Sequence, residues 1–155
     1  QAQSRLLVAT QTRTDEAIER ATVTLREVIE LATLWGAPQV VADTRARLAW
    51  VYTLSLRKRP DDTALARAGE IAEGLEGIVT EDIAPLLPSI RCQIDIARSA
   101  SANDLKLAED ALARCRSAHL AVLERKDPFA IRLSEEAISW ADRNVEALED
   151  KTSDP

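Results

Sequence analysis

The chain has 155 residues, of which 46% are hydrophobic and 30% charged, and its 26 acidic and 20 basic residues give a net charge of −6. The acidic excess argues against nucleic acid as a partner, because phosphate binding draws on clustered Lys and Arg. No apolar run approaches the ~18 residues needed to cross a bilayer, which argues against membrane insertion. The length allows one buried core and is short for two domains.

The composition predicts an all-α protein. Ala, Leu, Arg and Glu dominate, and these residues are strong helix formers. The chain contains only four Gly and few β-branched clusters, so little material remains for strands and hairpin turns. Aromatic residues make up 3% of the chain. The core must therefore be built from Leu, Ile, Val and Ala.

Apolar residues recur at helical spacing in six full segments that follow a short or truncated N-terminal one. The predicted helices span about residues 4–11, 15–35, 38–57, 62–76, 104–125 and 128–150, and one more starts between Pro85 and Pro88 and ends near residue 99. In the first full helix the inward positions step alternately by three and four. They are Ile18, Ala21, Leu25, Val28, Ala32 and Trp35.

Turn and cap residues separate these helices. Gly36 is expected to take the left-handed conformation that ends a helix, and Pro38 suits the first turn of the next one. Asp61 and Asp62 are interpreted as N-cap residues, and Asn103 or Ser101 as the cap of the helix near residue 104. We expect one domain over residues 1–150 and a frayed tail over residues 151–155.

An internal repeat is visible at an offset of forty residues. The inward positions of the third full helix match those of the fifth at every place, and the pairs are Leu65 with Leu105, Ala68 with Ala108, Ile71 with Ala111, Ala72 with Leu112, and Leu75 with Cys115. Units of two helices that cannot bury their apolar faces alone are expected to stack on their neighbours.

One stretch of this pattern resembles a known repeat family. Leu48 and Ala49, followed by Tyr52, resemble the L-G-x-x-Y core of a tetratricopeptide repeat, and Ala68 matches the small residue of its second helix. The position that is Trp in the family holds Arg45 here, and the aromatic position of the second helix holds Ala72. The resemblance implies a short solenoid of stacked antiparallel helical hairpins, whose concave face is lined by the first helix of each hairpin and takes a peptide or partner helix.

The expected function follows from this resemblance. Such repeats are interaction surfaces, so we expect a non-catalytic scaffold module that binds a protein or peptide in the cytoplasm. It is similar to the longer repeats of large bacterial signalling proteins, and a chain that begins at Gln1 and contains no Met is expected to be a piece of one. The alternative is a helical sensor domain that binds a small ligand in its core, as effector domains of transcriptional regulators do.

Four residues are predicted to bind the partner: Arg47 and Trp50 on the helix from Pro38, and Arg91 and Arg98 on the helix after Pro88. They lie off the predicted core stripes, and Trp and Arg are enriched at binding hot spots. Together they are expected to form a groove for an acidic or amphipathic segment. The alternative for Trp50 is that its ring packs against a neighbouring helix.

No catalytic, cofactor or metal site is expected. Cys115 and His119 have the spacing of two metal ligands on one helix face, but two ligands do not complete a zinc site, and the only other cysteine is Cys92. His119 is therefore interpreted as a packed core residue. A disulfide framework is not expected either, because nothing in the sequence indicates an extracellular protein.

Overall fold

The computed structural model describes residues 1–153, and this part of the chain is helical and contains no strand. A single 3-10 turn, Ala84–Leu86, precedes the fifth α-helix. The α-helices are α1 (Ala2–Thr12), α2 (Asp15–Leu34), α3 (Pro38–Lys58), α4 (Asp62–Ala72), α5 (Leu87–Ala102), α6 (Leu105–Leu123) and α7 (Pro128–Ser153). The all-α prediction is confirmed, whereas the stacked solenoid stays a prediction.

The helix ends follow the expected cap chemistry at most places. The Asp61 carboxylate accepts hydrogen bonds from the backbone of Thr63 and Ala64, and Gly36 has the left-handed φ of 65°. The break before α6 differs from the prediction. Asn103 ends α5 in a left-handed conformation, and Asp104 is the residue that caps α6.

Three helix ends also differ from the prediction. Helix α5 continues to Ala102 and does not stop near residue 99. Helix α4 ends at Ala72, four residues early, because Glu73 is extended and Gly74 turns with a φ of 71°. Helix α7 continues to Ser153, so the first three residues of the predicted tail 151–155 are helical, and residues 154–155 lie outside the described residues.

The contacts divide the chain into two compact units, residues 1–84 and residues 85–155. The expectation of a single domain over residues 1–150 stays a prediction, because a compact set of contacts does not establish independent folding.

The first unit is built around α3. Helix α2 packs against α1 and α3, and α3 also contacts α1 and α4. Loops of two or three residues join consecutive helices of this unit. Every residue from Leu48 to Leu54 is buried, which is the pattern of a helix covered on more than one side.

The second unit consists of α5, α6 and α7, and each of these helices contacts the other two. Its core contains small side chains that let the helices approach closely, and it is formed by Cys92, Ile96, Ala111, Cys115, Ala137 and Ala141. Side-chain hydrogen bonds join the helices around it. Asn144 donates to the Ser99 hydroxyl at 2.9 Å.

Candidate binding surface

Trp50 is not on the surface. Its side chain is 4% exposed, so the prediction that it lies off the core is wrong, and the alternative of a packed ring holds. The spacing identified one apolar stripe of α3, but this helix contacts α1, α2 and α4, and positions beside the stripe are covered as well. The indole N–H of Trp50 is buried and makes no hydrogen bond with the described residues.

The three predicted arginines are divided between the two units. Arg47 is half-buried on α3, whereas Arg91 is half-buried and Arg98 exposed on α5. The Arg98 guanidinium lies 3.6 Å from the Asp95 carboxylate, which also accepts from Arg114. Gln93, which lies between Arg91 and Arg98 on α5, is completely buried. A role of these arginines in partner binding stays a prediction.

The most exposed of the large apolar side chains in the first unit lie at the end of α2. Trp35 is 85% exposed, Leu34 is 81% exposed, and Leu31 on the preceding turn is also exposed. The spacing placed Trp35 inward, and this prediction is wrong. Helix α2 ends at Leu34, and Trp35 has φ −88° and ψ 0°, so its side chain no longer follows the step of 100° per residue.

A pocket of about 390 Å³ opens near this end of α2, but Leu31, Leu34 and Trp35 are not among the residues that line it. Its walls come from the end of α2, the start of α3 and the loop after α4, and its lining residues include Ala32, Ala37, Pro38, Val41, Leu75 and Ile78. Arg45 and Glu73 supply the charged groups of the lining. We call the pocket, together with Leu31, Leu34 and Trp35, the Trp35 corner.

The walls of the pocket are fixed by turns and by one side chain. Gly36 and Gly74 both line the pocket and have positive φ values of 65° and 71°, which glycine adopts without strain. The loop after α4 is tied to α3 because Asp43 accepts two hydrogen bonds from Thr80. The pocket is therefore a preformed feature of the first unit.

The Cys115 and His119 pair is engaged in other interactions. Cys115 forms a disulfide bond with Cys92, and Nδ1 of His119 lies 2.7 Å from the Ser134 hydroxyl on α7. Within residues 1–153 no group of three or more His, Cys, Asp and Glu side chains is arranged to hold a metal ion.

The disulfide bond joins α5 to α6 across a Cα–Cα distance of 5.2 Å. Both cysteines are 1% exposed and belong to the core of the second unit. The expectation that the chain has no disulfide bond is wrong. The signal for it in the sequence was that both cysteines lie on inward stripes of consecutive helices, but stripes do not tell which positions meet across a hairpin.

No protein-family model, no curated protein and no solved structure matches the chain. Across residues 1–153, no helix combines the length and the apolar character required to cross a bilayer.

Proposed function

We propose that the chain is a non-catalytic interaction module that binds a segment of a protein partner at the Trp35 corner. The observation that carries this proposal is the exposure of Leu34 and Trp35 at the end of α2. The mostly apolar pocket starts from the same end of the helix, although neither side chain lines it. Exposed apolar patches next to a concave site are typical of interaction surfaces. Trp is also the residue most enriched among side chains that dominate binding energy.

The packing of the helices supports a repeat of hairpins. Helix α1 contacts α3 as well as α2, and α5 contacts α7 as well as α6. A contact with the next helix and with the one after it is expected when hairpins stack. Positions 68 and 108, which are equivalent in the repeat, are both buried alanines. We infer a tetratricopeptide-like module that serves a larger bacterial signalling or regulatory protein.

A displayed library of random 16-residue peptides tests the proposal. Peptides selected on the wild-type protein should bind Trp35→Ala and Leu34→Ser at least about tenfold more weakly, because truncation of a hot-spot side chain costs about 2 kcal/mol. Leu120→Ser is the matched control, since Leu120 is an exposed leucine on α6. Selected peptides that bind all three variants as tightly as wild type contradict the proposal, and so does a selection without binders.

A small-ligand sensor is the second candidate, and the size of the pocket favours it. A volume of about 390 Å³ falls within the range of small-molecule sites. A fragment library screened by thermal shift separates the two functions. Thr33→Phe fills the pocket from its rim, so fragments that stabilise wild type and not this variant support the sensor. Fragments that stabilise wild type and Thr33→Phe equally contradict the sensor function.

A further inference from the structure

We propose that the pocket of the Trp35 corner binds an apolar amino acid, whose carboxylate contacts Arg45, whose ammonium group contacts Glu73 and whose side chain lies against the apolar walls. This inference rests on the second candidate function, the small-ligand sensor, and adds the chemical class of the ligand. Leu31, Leu34 and Trp35 are not part of this site, because they lie outside the pocket lining.

The apolar part of the lining comes from three segments of the first unit. Ala32 lies near the end of α2, Val41 in the first turns of α3, and Leu75 and Ile78 in the loop after α4. Ala32 and Leu75 are 8% and 4% exposed, so they are also part of the core of the unit. The volume of about 390 Å³ lies near the lower end of the range of small-molecule sites, about 300–1,000 Å³. The pocket therefore suits a small ligand with an apolar body.

Two charged residues of opposite sign line the same pocket, and they come from different walls. Arg45 lies on α3, where its spacing of seven from Pro38 and four from Val41 places all three on one face of the helix. Glu73 lies directly after the last residue of α4. The side chains of the lining therefore carry one positive and one negative charge.

Neither of these charges is paired within the protein. Across residues 1–153, the side chains of Arg45 and Glu73 form no ion pair or hydrogen bond with each other or with another residue. Both are exposed, so water solvates them in the free protein. Asp43, a further carboxylate on α3, is instead engaged by Thr80. A ligand that brings an opposite charge to Arg45 and to Glu73 gains two charge-assisted contacts and breaks no existing pair.

The lining matches a ligand with three parts. A carboxylate fits the Arg45 guanidinium, whose planar fork binds carboxylates through two parallel hydrogen bonds, and an ammonium group fits the Glu73 carboxylate. A ligand with a single charge satisfies only one of these residues. Thr33 is the remaining polar side chain of the lining, and its hydroxyl already donates to the Ile29 carbonyl at 2.7 Å. An apolar amino acid carries the carboxylate, the ammonium group and the apolar side chain on one carbon atom.

Titration of the 15N-labelled full chain, followed by nuclear magnetic resonance, tests this assignment. The signals to follow are the amides of Gly36 and Gly74, because both residues line the pocket. Leucine and phenylalanine are the probes, at about pH 6, where their ammonium groups are charged. Leucinamide lacks the carboxylate, N-acetylleucine lacks the ammonium group, and glycine lacks the apolar side chain. Leucine should shift both signals, and each analogue should bind at least about tenfold more weakly, because each loses one of the three contacts.

Two variants assign each charged group of the ligand to its residue. Arg45→Gln should bind leucine and leucinamide with equal affinity, because the ligand carboxylate has lost its partner. Glu73→Gln should bind leucine and N-acetylleucine with equal affinity for the corresponding reason. Arg67→Gln and Glu70→Gln are the matched controls, since both residues are exposed on α4 and lie outside the lining. These controls should discriminate among the ligands as wild type does.

Three results would overturn the inference. Equal binding of leucine, leucinamide and N-acetylleucine to wild type assigns the pocket to a neutral apolar ligand and leaves the sensor function intact. Discrimination that persists in both Arg45→Gln and Glu73→Gln shows that other groups contact the ligand charges. Signals of Gly36 and Gly74 that shift with neither leucine nor phenylalanine exclude an apolar amino acid, and the fragment screen then decides the sensor function separately. Peptide binding that depends on Trp35 is measured independently of all three results.

Discussion

Asp43 on α3 accepts two hydrogen bonds from Thr80, one from its backbone N–H and one from its hydroxyl, and each is 2.8 Å long. Both residues are half-buried. The two bonds connect the start of α3 to the loop that follows α4, and Ile78 of that loop lines the pocket. The shape of the Trp35 corner therefore depends on a carboxylate that does not itself line it.

Asp43→Ala should destabilise the protein by about 1–3 kcal/mol, because it leaves a half-buried N–H and a hydroxyl without their acceptor. Urea unfolding followed by circular dichroism measures the change. Asp43→Asn keeps one acceptor oxygen and should lose less. Equal stability of Asp43→Ala and wild type shows that the loop does not need this tie.

Because of the disulfide bond, we expect the protein to be less stable under reducing conditions. Closing a loop of 23 residues stabilises a fold by about 3 kcal/mol in the chain-entropy description. Dithiothreitol should therefore lower the urea midpoint of wild type and leave that of Cys92→Ala/Cys115→Ala unchanged. Alkylation of the unreduced, denatured protein should label no thiol.

Two labelled thiols in that alkylation contradict the bond. The result also bears on the compartment, because disulfides persist mainly in oxidising environments and the sequence led us to expect the cytoplasm. A protein purified from the cytosol with the bond intact shows that burial of both sulfurs protects it there.

Trp35 and Trp50 should respond to truncation in opposite ways. Trp50→Ala removes a buried ring and should cost about 3–5 kcal/mol. Trp35→Ala removes an exposed ring and should change stability by less than about 0.5 kcal/mol. Acrylamide should quench the fluorescence of Trp35 far more than that of Trp50 in variants in which the other tryptophans are replaced by Phe. Similar unfolding midpoints for the two Ala variants contradict the assignment.

Asp15 predicts a pH-dependent contribution to stability. Its carboxylate accepts a hydrogen bond from Lys58, and that bond and the Lys58 charge lower the pKa of Asp15 below its ordinary value. Because the folded-state pKa is the lower one, the contribution is present above the unfolded pKa and is lost as the pH falls through the folded pKa.

Asp15→Asn should accordingly be less stable than wild type at neutral pH, and the difference should shrink as the pH falls below about 4. The effect is small and sensitive to salt, since both groups are exposed. Glu19→Gln on the same helix controls for the loss of one negative charge. A difference that is constant from pH 7 to pH 2 contradicts the role of the Asp15 carboxylate.

The helices were predictable from the sequence because they depend on local signals. Apolar spacing, Gly36 and the Asp61 cap each act over a few residues, and the structure agrees with them. The positions of Trp35 and Trp50 were not predictable in the same way. Periodicity identifies residues that share a face, but it does not count the helices packed around α3, nor does it apply to a residue beyond the last turn of α2.

The pocket near the end of α2 was not predicted, for a related reason. The pocket is formed by residues from the end of α2, the start of α3 and the loop after α4, and no local pattern brings these segments together.

The bond between Cys92 and Cys115 also has a mechanical consequence. A chain pulled from its two ends extends by at most about 3.3–3.6 Å for each residue that is free to unravel. The bond closes a loop across the sequence separation of 23 residues between the two cysteines, so this loop cannot be stretched. The fully extended chain is therefore shorter by about 75 Å. In a force-extension measurement, unfolding of the second unit should therefore release a shorter length of chain while the bond is intact. After the bond is reduced, the released length should be longer by this amount.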